Sequence, residues 1–133
     1  MRILIILALI TSYASGNPVW IGSYFDSNGE KLKWEAQSEQ FGATISWSGI
    51  GTCPFDIPKL TDSALSYAKK KVEKPEKLKV DSICIERADR VGEVDSLKDK
   101  WYIIVSFGGR SGSFPGSVRI LPDGTIIEPI SKK

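Results

Sequence analysis

Few residues of this chain could do chemistry, and their types limit which chemistry that is. Cys53 and Cys84 are its two cysteines, and it contains no histidine. That removes the commonest general base and the commonest metal ligand. It also leaves a catalytic thiol or serine without its usual activator. If the chain enters an oxidising compartment, an even pair of cysteines predicts a Cys53–Cys84 disulfide. Closing a loop of about 32 residues would stabilise the fold by about 3–4 kcal/mol in the chain-entropy model. Two buried free thiols are the alternative.

The remaining candidates are weaker. Asp81, Glu86, Asp89, Glu93, Asp95 and Asp99 are interleaved with Arg87, Arg90, Lys98 and Lys100. Paired carboxylates can hydrolyse glycosides, but mixed charge around a loop reads first as a solvated face. The same stretch lacks the alternating acids and glycine of a calcium loop, so no metal is expected. Ser66 and Lys69 supply the one Ser-x-x-Lys spacing, on the solvated side of an expected helix. The segment Gly108-Gly109-Arg110-Ser111-Gly112-Ser113-Phe114-Pro115-Gly116 is the most unusual. Its glycines would let backbone approach a partner closely. Arg110 offers a charged anchor and Phe114 an apolar one, the pairing common in interface hot spots. It lacks the Gly-Lys-Ser/Thr ending of a phosphate loop, and no cofactor motif is present elsewhere. Trp20, Trp34, Trp47 and Trp101 could line a sugar-binding face, but three occupy apolar positions of alternating strands, which favours core packing.

The elements that must position these residues follow an expected leader. Met1-Arg2, an apolar run from Ile3 to Ile10, and small residues ending in Ala14-Ser15-Gly16 have the pattern of a secretory signal peptide, with cleavage expected after Gly16. The run is far shorter than the ~20 residues of a membrane span. The expectation is therefore a secreted or periplasmic mature chain, residues 17–133, forming one domain. The sequence has 18 Lys and Arg against 16 Asp and Glu. Loss of Arg2 with the leader leaves a net charge of +1, which argues against nucleic acid as a partner.

Trp20 to Phe25 is β-prone and ends in the turn signal Asp26-Ser27-Asn28-Gly29. Leu32, Trp34 and Ala36 alternate with polar residues, as do Ala43, Ile45 and Trp47, so two further strands are expected there. A helix over 30–41 is the competing reading. Pro58 to Glu73 reads as the main helix, with Leu60, Ala64, Tyr67, Ala68 and Val72 on one stripe, Pro58 in the first turn and Pro75 enforcing the stop. Leu78 to Arg87, Trp101 to Phe107, Val118 to Leu121 and Thr125 to Ile127 read as strands. Pro122-Asp123-Gly124 forms a tight turn between the last two. Trp101–Phe107 is expected to be central, with Tyr102 and Ile104 or their alternates facing the helix. The sum is an α+β fold: one main helix packed on an antiparallel sheet of about four to six strands.

Over residues 58–130 this order resembles the small exported PepSY-like and cystatin-like modules. The resemblance rests on the helix around Ala64-Leu65-Ser66-Tyr67-Ala68, the strand Trp101-Tyr102-Ile103-Ile104-Val105 and the hairpin Leu121-Pro122-Asp123-Gly124-Thr125-Ile126. It implies a binding or inhibitory role outside the cytoplasm. The Gln-x-Val-x-Gly loop of true cystatins is absent. The functional expectation is a non-catalytic module that contacts a protein or envelope component, a class that includes inhibitors and immunity-type proteins. A small hydrolase using carboxylates or a Ser–Lys pair is the alternative.

Overall fold

In the computed structural model, which describes residues 17–91, 97–109 and 114–131, seven strands divide between two antiparallel sheets. The expected leader, Arg110, Glu93 and Asp95 lie outside the described residues. The first sheet has the order β1 (Pro18–Phe25), β2 (Lys31–Gln37), β7 (Pro129–Ser131). The second has the order β3 (Lys79–Arg87), β4 (Trp101–Gly108), β5 (Ser117–Ile120), β6 (Ile126–Ile127). The α+β class holds, but the strands form two sheets instead of one. The chain changes sheet at Glu128: Ile126 pairs with Ile120 of β5, and Pro129 pairs with Trp34 of β2.

The β1–β2 hairpin closes where expected. The Asp26 carboxylate accepts from the Asn28 and Glu30 amides, both at 2.8 Å, and Gly29 takes a φ of 77°. A short helix α1 (Ser38–Gly42) follows directly, with the Gln40 side chain accepting from the Gln37 amide at 2.7 Å. The main helix α2 (Ile57–Lys69) starts at Asp56, whose carboxylate accepts from the Lys59 amide at 3.2 Å. It ends four residues before the predicted stop. Val72, beyond the helix, still packs against the core beneath it.

The expected strand at 43–48 does not form. Ile45 is exposed, and the backbone carbonyls that a sheet would have paired accept from side chains instead. The Lys100 ammonium donates to the Thr44 carbonyl, the Trp101 indole to Trp47 at 2.7 Å, and the Arg87 guanidinium to Ser48 at 2.7 Å. Local alternation was misleading here because these three donors come from distant parts of the chain.

β4 is interior to its sheet and separates two cores. Ile103, Val105 and Phe107 face α2 and meet Leu60, Ala64 and Ala68. Tyr102 and Ile104 face the other way, toward Val19, Ile21, Trp34 and Ala36 of the first sheet. Of the two faces allowed by the sequence, the alternates of Tyr102 and Ile104 thus meet the helix. The layers are helix, four-stranded sheet, three-stranded sheet.

Candidate functional site

The divergence of the two sheets at Glu128 opens a cleft of about 240 Å³. Three elements supply its walls. Tyr24 and Trp34 come from the first sheet, with ring centroids 4.8 Å apart. Tyr67 comes from α2, and Phe114 and Pro115 from the segment entering β5. The charged side chains lining the cleft are Lys71 and Glu128, and they face each other at 3.9 Å. Glu128 also accepts from the Tyr67 hydroxyl at 3.2 Å. Burial pushes the Tyr67 phenol up to about 12, with the Glu128 carboxylate and its hydrogen bond adding to the effect. Tyr67 is thus a neutral donor throughout the physiological range.

Beside this cleft, Arg119 lies between the sheets. Its guanidinium stands 3.9 Å over the Trp34 ring, donates to the Ile21 carbonyl at 3.5 Å and hydrogen-bonds the Ser117 hydroxyl. No carboxylate of the described residues lies within ion-pair distance of it. Burial lowers its pKa, partly offset by Tyr102, yet a guanidinium stays charged at any ordinary pH. Gly22, at a bulge in β1, makes room: a Cβ there would sit 3.0 Å from the guanidinium. Tyr102 is also raised, by burial first and the Glu86 charge second, with Arg119 opposing.

The residues singled out in the sequence meet different fates. Phe114 does line the cleft, but as a wall. It is 8 % exposed, and its ring centroid is 6.0 Å from that of Phe107. The exposed anchor expected at this position is therefore a core residue, because Phe107 and the α2 core offer it apolar cover.

The expected Cys53–Cys84 disulfide is not made among the described residues: both thiols are free. Cys53 packs on the α2 side of the second sheet. Cys84 is exposed on β3 opposite Ile104, which points into the other core. Directly opposed residues share a face, so the sheet itself separates the two sulfurs.

Asp89 and Asp99 each lie 3.7 Å from Arg87, whose guanidinium also stacks 4.5 Å over Trp101. These carboxylates are counter-ions of a structural arginine. Ser66 lies with Asp56, Lys59, Asp62, Ser63 and Lys70 in a shallow groove on the outer side of α2. Among the tryptophans, Trp34 and Trp101 are buried, Trp47 packs on Phe55 and Trp101, and Trp20 is exposed on the outer side of the first sheet.

Sequence reasoning missed Tyr24, Arg119 and Glu128 as neighbours of one site. The bulge glycine Gly22 was the available signal, since a lone glycine inside a strand marks a bulge or a close approach. Among the described residues, no group of three or more acidic or cysteine side chains could hold a metal ion, and no helix is long and apolar enough to cross a membrane. Comparison with family models, with curated proteins and with solved structures finds no match to this chain.

Proposed function

We propose that the chain is a small exported, non-catalytic binding module whose contact site for a protein or envelope component is the Tyr24–Trp34–Tyr67 cleft. The observation that carries this reading is the composition of the cleft. Its walls are aromatic, and its lone carboxylate, Glu128, is engaged by Lys71 and Tyr67. Rings with one polar tip suit recognition, giving large contact area at small entropic cost. Hydrolysis by paired carboxylates needs a second acid across the cleft, and the lining holds Glu128 alone. Ser117, the lining serine, has its hydroxyl engaged with Arg119. The role matches the binding or inhibitory one implied by the PepSY-like and cystatin-like resemblance, and no residue is borrowed from those families.

The test is capture of a partner from the native extracellular fraction, followed by affinity measurement on the identified partner. Tyr67→Ala should weaken binding by about tenfold or more, as loss of an aromatic hot spot does. Tyr67→Phe, which keeps the ring, should retain most of it. The thermal midpoint of each variant controls for folding. Wild-type affinity in a folded Tyr67→Ala variant would remove the cleft as the contact site.

A further inference from the structure

We infer that β3 is the docking edge for a second copy of this chain, paired antiparallel about Cys84 so that the two Cys84 thiols meet and can be joined. The inference is independent of the cleft. Among the described residues, no strand pairs with the outer edge of β3. Six consecutive residues of this nine-residue strand, Lys79 to Cys84, are exposed, including Val80 at 38 % and Ile83 at 39 %. A long edge with exposed apolar residues is a template for strand addition.

Self-pairing about a two-fold axis allows few registers, and they differ sharply in quality. Centred on Ile83, the pairing sets the Asp81 carboxylate against Ile85, while Lys79 and Val80 lie beyond the bulge between Val80 and Ser82, where the count along the strand shifts. Centred on Ser82, it sets Asp81 against Ile83. Centred on Cys84, it sets Ile83 against Ile85, Asp81 against Arg87 and Cys84 against Cys84, each pair occurring twice except the last. This is the one register of the three that is complementary in both charge and polarity. The Arg87 side chain is 30 % exposed, and its existing carboxylates are no closer than 3.7 Å. Its five N–H groups leave donors for a third acid. Directly opposed residues of antiparallel strands have Cβ atoms about 4.5–5.5 Å apart, close to the span of a disulfide.

The covalent step needs an oxidant, here a low-molecular-weight disulfide such as oxidised glutathione. One Cys84 thiolate attacks it and displaces one small thiol. The Cys84 thiolate of the second copy then attacks the mixed disulfide and displaces the other. Two protein thiols are oxidised, and their two electrons and two protons pass to the small disulfide, which is reduced to two thiols.

The test follows covalent dimer formation with oxidised glutathione on non-reducing gels. Cys53→Ser should form the dimer at the wild-type rate, and Cys84→Ser should form none. Ser82 faces Glu86 of the second copy in this register alone. Ser82→Glu should therefore slow dimer formation about fivefold and Ser82→Lys should speed it, since opposed charges count twice in the dimer. Rates are normalised to the reaction of Cys84 with an aromatic disulfide, which removes any effect on thiol reactivity itself. Ile83→Lys, checked for an unchanged thermal midpoint, should suppress the dimer. Dimers joined through Cys53, accumulation of the Cys84–glutathione mixed disulfide without dimer, or normalised rates insensitive to the charge at residue 82 would each overturn the proposal.

Discussion

The two faces of the four-stranded sheet are built on different principles. The face under α2 is apolar and closed: Ile103, Val105, Val118 and Ile120 meet Leu60, Ala64 and Ala68. The face under the three-stranded sheet holds a cation. Arg119 sits there between Trp34 and the bulge at Gly22, and the cleft opens beside it. Burying a guanidinium costs solvation, which the ring face, the Ile21 carbonyl and the Ser117 hydroxyl offset only in part. The helix side is thus an apolar core throughout, whereas the sheet-on-sheet side combines its own apolar core with polar groups next to the opening. The same division separates the cysteines, one on each side.

The contrast can be broken most strongly on the helix side. Ile103→Ala removes a fully buried side chain and should cost about 2–5 kcal/mol in urea denaturation. Ile104→Ala, half-buried on the other face, should cost less than about 2 kcal/mol. Equal losses would mean that the two cores are equivalent. On the sheet side, Gly22→Ala puts a side chain at a φ of 137° and against the Arg119 guanidinium, at a cost of about 1–3 kcal/mol. Arg119→Lys should lose about 1–2 kcal/mol, because an ammonium does not reproduce the planar stack and fork. The double variant should cost less than the sum, since removing the guanidinium relieves the contact with the new Cβ.

The smallest effect is a titration. Tyr67 ionises near 12 in the fold against an ordinary value of 10. The folded state favours the protonated phenol, so its contribution to stability is complete below pH 10 and fades between 10 and 12. Burial also raises Tyr24 and Tyr102, so phenolate absorbance should show a late-titrating group of tyrosines from which Tyr67→Phe removes the component near 12. Glu128→Gln should bring its midpoint down, because the carboxylate helps to raise it.

Much of the helix side is legible in the chain itself. The stripe Leu60–Ala64–Ala68, Pro58 in the first turn and the β-branched run at 103–105 suffice to predict a helix on a sheet, because period and propensity are local properties. The sheet side is not legible in this way. Ala43-Thr44-Ile45-Ser46-Trp47 has the alternation of a strand, yet Lys100, Trp101 and Arg87 capture its carbonyls and hold it as a loop. Phe114 follows glycines and reads as an exposed anchor, but Phe107 and the α2 core bury it.

Sequence alone determined the absence of histidine and hence of its chemistry, the α+β class, the Asp26–Gly29 and Asp123–Gly124 turns and the place of the main helix. These depend on residue identity or on neighbours a few positions apart. Tertiary structure alone decided that the strands split into two sheets at Glu128, that the cysteines face opposite ways, and that Tyr24, Trp34, Tyr67 and Arg119 converge. A sheet register and a crossing between layers are set by which distant surfaces exclude water together, and that free energy has no local signature in the chain.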